Sequence, residues 1–377
     1  MDFTLTDDQR AFADTAQSLF ADFCDDDRLR AHDASEAPFM QDLWTQCVAT
    51  GLHSMIVPEA SGGLGLDMTA LSAVLEQQGQ ALALVPLWEQ QLTLAAIARF
   101  GMPSQQARWL DAGLTGETLL TTSLGGLVSP ADLLDASEDG DGLRLNGHVA
   151  AVPLAAQSGA ALLVAQMNGV PRLVLLDLAA PGVTRVAGRS QCHQAVADIH
   201  CDGVRVGHDA WLADDALRWF EPRAIACLAA LQAGVSARQL ARTVEYVSER
   251  RQFDRVIGSF QLVAGQMADC HIALEALRAS LAQLLYRLDA GLGALPQAWA
   301  TRVLACETSH LVGHKAQHVH GGIGVDVTYP IHRFLFWSRA LGLALGGPEY
   351  NLAKLGDWLA NHDSLGWKYD LAEDQTV

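Results

Sequence analysis

The sequence predicts an α+β protein in three successive parts. These are a helical segment over 1–117, a small β domain over 118–217 and a C-terminal four-helix bundle over 218–377. Three observations carry the expectation. Apolar residues recur at helical spacing to about Phe100 and again around 105–112. Near Leu119 the pattern changes to short apolar runs broken by Gly, Pro, Asn and Ser. Helical periodicity then returns after Trp219 and persists nearly to the C-terminus.

Each part has its own signals. Thr6 and Gln9 form a capping-box pattern ahead of an apolar face of Phe12, Ala16, Leu19, Phe20 and Phe23. Asp25, Asp26 and Asp27 read as a solvated helix end. A second helix is expected over about 39–51, before Pro58, Gly62, Gly63 and Gly65 break the pattern. Five strands are expected, at 143–152, 160–166, 172–178, 183–188 and 195–206, with Asn146-Gly147 as a hairpin signal. In the bundle, Val263, Met267, Cys270, Leu274, Leu277, Leu281, Leu284 and Leu288 alternate by four and three along one seam. Further helices are expected over about 297–320 and 349–360.

Composition narrows the function. Half the residues are apolar and the net charge is −18, which argues against nucleic acid as a partner. Seven scattered cysteines with no C-x-x-C pair fit a reducing, cytoplasmic setting rather than a disulfide framework. The acidic start MDFTLTDDQ is not a signal peptide, and no apolar run reaches the length expected of a membrane span. His310, His314 and His318 recur at four-residue spacing, but no H-E-x-x-H, carboxylate or cysteine completes a zinc set. No metal is expected there, and the stripe reads as a polar face toward a cofactor or partner.

The most informative stretch is ERRQFDRVIGSFQ at 249–261. Arg250, Arg251, Gln252 and Gln261 in a turn between two long helices can hold an anion, because arginine presents a rigid fork of donors to phosphate. On residue types alone a solvated helix–helix turn is the favoured reading. The stretch nevertheless resembles the ER-x-QFG-x-x-I-x-x-FQ turn of acyl-CoA dehydrogenases. VPEASGGLGLD at 57–67 and HGGIGVDVTYPIHR at 320–333 resemble segments of the same family in the same order.

The resemblance implies an FAD-dependent oxidoreductase of lipid metabolism. Such a flavoprotein introduces an α,β double bond into an acyl-CoA thioester and passes electrons to an electron-transfer acceptor protein. It implies a tetramer, homo- or hetero-oligomeric, in which the turn reaches a neighbouring subunit's FAD. Arg250 would then meet the pyrophosphate, with Gln252, Phe253 and Gln261 along the cofactor. Gly321, Gly322 and His318 would approach the same FAD, and Thr122 and Ser123 would donate to the flavin. Three departures stand out. Asp254 replaces the family's usual glycine and should turn to Arg251 or Arg255. His318 stands where a glutamine is common. TTSLGGLVSPAD (121–132) and NGHVAAVPLAA (146–156) lack the acidic and aromatic marks of the family's middle signature.

The reaction needs a base for the α proton. Counting from Gly321 puts Leu345 at the family's usual place, with Glu349 four residues on; counting back from Arg250 puts Ala224 at the alternative place, with Glu221 three residues before it. Beside Pro222, Glu221 reads more simply as an N-cap or first-turn acid. Four readings follow. The first is the subunit of a hetero-oligomer that lacks the usual base and completes a partner's FAD site. The others are a self-sufficient homotetramer using Glu221 or Glu349, a flavoprotein of this fold with other chemistry, and a scaffold without flavin.

Overall fold

The computed structural model describes residues 3–362. Six helices come first: α1 (Asp7–Phe23), α2 (Asp26–Asp33), α3 (Gln41–Ala49), α4 (Met68–Ala81), α5 (Leu87–Phe100) and α6 (Pro103–Leu114). Strand β1 (Leu119–Ser123), short helix α7 (Gly125–Val128) and strands β2 (Leu134–Asp139), β3 (Gly142–Pro153), β4 (Ser158–Met167), β5 (Val170–Asp177), β6 (Val183–Arg189) and β7 (Ala195–Gly207) follow. Then come α8 (Ala216–Glu249), two-residue strands β8 (Arg251–Gln252) and β9 (Arg255–Val256), α9 (Gln261–Asp289), α10 (Leu295–His320), α11 (Ile331–Leu343) and α12 (Gly347–Ala360). Helices, sheet, helices is the order the sequence predicts.

The chain forms two compact units. One contains the described residues up to Ala31, Ser72–Ala83 and everything described from Ile225 onward; the other contains His32–Leu71 and Leu84–Ala224.

In the first unit, Thr6 Oγ1 accepts from Gln9 N at 3.2 Å and Gln9 Oε1 accepts from Thr6 N at 2.9 Å, closing the expected capping box. In the aspartate run Asp25 and Asp27 are exposed, as expected of a solvated helix end, and Asp26 is half-buried. Asp25 Oδ1 accepts from the amides of Asp27 and Arg28 and so starts α2. Asp26 takes both Nη atoms of the half-buried Arg242. An acid at a helix start beside a fixed guanidinium is held in place. Helices α4 and α8 meet backbone to backbone. A Cβ on Gly79 would stand 2.2 Å from the Leu231 carbonyl oxygen, and one on Gly234 2.0 Å from that of Glu76. Only glycine permits that approach.

The α9 seam is buried from Met267 to Leu288 as the spacing predicts, with Val263 half-buried. Helix α11 was not expected, although Ile331, Phe334, Trp337 and Leu341 bury one face at helical spacing. Helix α8 is long and apolar enough to cross a membrane by length and composition, contrary to expectation. Its apolar window is mostly buried inside the protein, as in a core helix.

In the second unit, the sheet runs β1-β4-β2-β3-β7-β6, with β5 also pairing β4. β1 and β2 run parallel to β4, and the other pairs are antiparallel. Inward residues such as Leu145, Val149, Leu163, Val174, Ile199 and Val204 build one core. All five expected strands form. Asn146-Gly147 does not make a hairpin: it lies inside β3 at a register shift, where Asn146 Oδ1 accepts from Gly203 N at 2.8 Å. A bulge uses the same turn-prone residue types.

Candidate functional site

Within the first unit, α8 breaks at Arg250 and the chain makes a tight hairpin before α9. Phe253 and Asp254, the two residues between β8 and β9, both have positive φ (53° and 64°). That is the signature of a two-residue primed turn. It explains the glycine usual at position 254, since glycine enters this region without strain. Aspartate is among the few other residues that tolerate it.

The expectation for the Asp254 carboxylate is not met. Arg251 Nη2 donates to the Asp254 backbone oxygen, and the Arg255 guanidinium lies 3.8 Å from the centre of the Phe260 ring. Phe253 is 86% exposed, and its ring meets Phe260 edge-on at 6.2 Å. Arg250, Gln252 and Gln261 are exposed on the same arm. The fold therefore brings Arg250, Gln252, Phe253 and Gln261 together on one projecting hairpin.

The glycine turn lies beside it. Tyr246, one helical turn before Arg250, stacks on His320 at 4.3 Å, and His320 directly precedes Gly321. The His320 Nδ1 hydrogen is donated to Ala316 O at 2.8 Å, and Tyr329 Oη lies 3.4 Å from Nε2. Burial lowers the His320 pKa, while the hydrogen bond to Ala316 pulls the other way. Sequence reasoning missed this Tyr246–His320–Tyr329 group; an aromatic residue four positions before Arg250 was the available signal.

Gly321 has φ 63° and ψ −137°, and a Cβ on it or on Gly322 would meet nothing within 4 Å. The backbone there is open to a ligand. Gln317, one step from the expected place, donates Nε2 to Gly324 O at 2.9 Å and braces its own turn. His318 is exposed, and His314 Nε2 lies 2.7 Å from Arg339 Nη2, which engages its lone pair.

A third turn joins α11 to α12. Leu345 is left-handed, with φ 51° and ψ 39°, and Gly346 and Gly347 also have positive φ. Asn351 Nδ2 holds this turn through the carbonyls of Leu345 (2.9 Å) and Gly347 (2.7 Å). The fully buried Arg302 holds it through the carbonyls of Leu341 and Ala344. Glu349 is exposed in the first turn of α12, where a helix dipole favours an acid.

In the second unit, Thr122 is buried and donates its hydroxyl to Leu162 O at 2.9 Å, while Ser123 Oγ accepts from Gly125 N at 3.2 Å. The Thr122 hydroxyl thus serves the sheet rather than a ligand. Glu221 is not a first-turn acid: α8 begins at Ala216, and Pro222 lies inside the helix. Ala224 is fully buried.

Family models of the acyl-CoA dehydrogenase N-terminal and C-terminal domains match residues 6–117 and 223–360. The acyl-CoA dehydrogenase FadE27 of Mycobacterium tuberculosis is 32% identical over 370 residues, covering 96% of this chain and 99% of that protein. The chain belongs to the acyl-CoA dehydrogenase family. Among solved structures, the ChsE4-ChsE5 complex from Mycobacterium tuberculosis contains a chain 31% identical to this one, with a TM-score of 0.91. The match covers 97% of this chain and all of that one. A variant of the Tcur3481-Tcur3483 steroid acyl-CoA dehydrogenase gives 36% identity and a TM-score of 0.89, covering 95% of this chain and 99% of that one.

Members of this family are FAD-binding oxidoreductases. The residues of the hairpin and glycine turn fit such a group. The Arg250 guanidinium is exposed, and the backbone at Gly321 and Gly322 has free space above it. Thr122 does not fit, because its hydroxyl is already bonded within the sheet.

Proposed function

We propose that this chain is the completing subunit of a heteromeric acyl-CoA dehydrogenase, lending its hairpin to a partner's FAD while the partner supplies the base. One observation carries the reading. The α11–α12 turn is held by Arg302 and Asn351 where the family's base stands, yet the residue it presents is Leu345. The alternative place is the buried Ala224. Neither side chain accepts a proton.

In this reading, Arg250 would hold the FAD pyrophosphate by a charge-assisted pair. Phe253, Gln252 and Gln261 would line the cofactor, and Gly321 and Gly322 would admit it against the backbone. Bound FAD supplies the hydride acceptor; the residues of this chain bind and orient it. His318 and Ser123 remain proposed contributors at the edges of the site. The two similar structures carry paired names, ChsE4-ChsE5 and Tcur3481-Tcur3483, which supports two unlike chains. The steroid enzyme supports a bulky ring-bearing acyl group as the substrate class. An electron-transfer flavoprotein as acceptor, a tetramer and a cytoplasmic setting belong to the same proposal.

Glu221→Gln and Glu349→Gln in the co-purified enzyme test it. Acyl-CoA-dependent dye reduction should stay within about twofold of the unmodified enzyme for both. Loss of about 100-fold or more in kcat for either, the scale of a missing general base, would place the base in this chain.

A further inference from the structure

Apart from the hairpin and the glycine turn, the sheet carries a cluster of metal-ligating side chains, and one of its members, His148, lies with the nearby Asp132 in the segments that replace the family's middle signature. His148 on β3 and His200 on β7 are directly paired across the antiparallel ladder, and their rings lie 4.7 Å apart. Asp198 is two residues before His200, so both point to the same side of β7, opposite the core residues Ala197, Ile199 and Cys201. The ligand atoms of His148, Asp198 and His200 all lie within 4.8 Å of one another.

Two further features arrange this group as a metal shell is arranged. Asp198 Oδ1 accepts from Ala151 N at 2.8 Å, which fixes the carboxylate and leaves Oδ2 facing His148 Nε2 at 3.9 Å. On the other side of the same ring, His148 Nδ1 faces Asp132 Oδ1 at 3.7 Å, and Asp132 is itself held by Ala150 N at 3.1 Å. A carboxylate behind a ligating histidine sets the ring orientation and raises its basicity. The β6 residues opposite His200 and Asp198 are Thr184 and Val186, so that strand brings no cation against the cluster.

We propose that His148, Asp198 and His200 form a binding site for a divalent transition-metal ion of the zinc class, with Asp132 as the outer carboxylate behind His148. Two imidazoles and one carboxylate match the donors zinc and its neighbours accept. Tetrahedral binding draws such donors to roughly 3.3 Å from one another, a closure that small side-chain rotations supply. A fourth position stays open to water, because His148 and Asp198 are only half-buried and His200 is exposed. The ion bridges β3 and β7 across the irregular stretch Val149 to Val152, where their register shifts.

The test is titration of the purified full-length chain with Co2+ and with Zn2+ alone, read by cobalt visible absorption and calorimetry. One ion per chain should bind with a dissociation constant of about 10 μM or tighter. His200→Asn and Asp198→Asn should each weaken it by about 30-fold or more. Asn at 198 keeps an oxygen for the Ala151 amide, and position 200 is exposed, so both variants retain the fold; an unchanged far-ultraviolet spectrum verifies this. His314→Ala, on the helix that carries the histidine stripe, should leave the affinity unchanged. Unaltered affinity in His200→Asn, loss in His314→Ala, or no saturable binding below about 1 mM would overturn the site.

Discussion

Arg302→Ala is expected to lower the stability of the protein by about 3 kcal/mol or more. Arg302 is fully buried on α10, and its Nη2 donates to the carbonyls of Leu341 and Ala344 at the end of α11. Leu341 lies in the last turn of α11, whose final carbonyls have no amide of their own helix to satisfy them, and Ala344 is the C-cap that follows. Truncation leaves them without this buried donor and opens a cavity where a large side chain was packed. One term opposes the loss. Arg302 Nε and Nη1 have no partner among the described residues, so the buried cation itself carries a desolvation cost that alanine removes. Arg302→Met, which fills the volume without the charge, should therefore cost clearly less than alanine. Urea unfolding of both variants measures this. A loss below about 1 kcal/mol for alanine would mean that the buried guanidinium contributes no net stability and that the α11–α12 turn is held by Asn351 alone.

Glu89→Gln should raise stability above pH 7 and leave it little changed near pH 4.5. Glu89 is buried at the start of α5, where its Oε1 accepts from Gln194 Nε2 at 3.3 Å and Oε2 has no hydrogen-bond partner among the described residues. Burial pushes its pKa from 4.5 up to about 7, despite hydrogen bonds that pull the other way. Between those values the folded protein holds a proton that the unfolded chain has released. Stability is full below the unfolded pKa and falls as pH rises through the folded one. Above pH 7 the buried carboxylate costs at most about 3 kcal/mol, the free-energy equivalent of the shift. Glutamine keeps the Gln194 acceptor and removes the titration. Between pH 5 and pH 8 its urea midpoint should rise relative to that of the unmodified protein, and exceed it at pH 8. Equal destabilisation at both pH values would show that the carboxyl is paired when ionised.

How much of this was legible in the sequence depends on whether the signal was local. The Thr6–Gln9 cap and the α9 seam were legible because their partners lie three or four residues apart. Strands β1 and β2 were not. LDASED has only two apolar residues, Leu134 and Ala136, too few to mark a strand, and β2 exists because β3 and β4 pair with it. Asn146-Gly147 misled for the converse reason: a turn-prone pair also serves a bulge once β7 lies alongside. The hairpin residues were visible as a motif, but the left-handed pair at Phe253 and Asp254 was not, nor was the disengagement of the Asp254 carboxylate from both arginines. The Thr122 hydroxyl pairs with β4, forty residues away, so nothing local showed that it was engaged. His148 and His200 meet only through strand pairing, which no spacing rule detects.

We propose that this chain completes a flavin site in another subunit and lacks a competent site of its own. The most direct test of this is FAD content and acyl-CoA-dependent dye reduction, measured on the chain purified alone and co-purified with a second acyl-CoA dehydrogenase subunit that carries the base. The expected result is no turnover by the chain alone, and turnover with one FAD per pair of unlike chains once the partner is present. One FAD per chain with full turnover by this chain alone would contradict it.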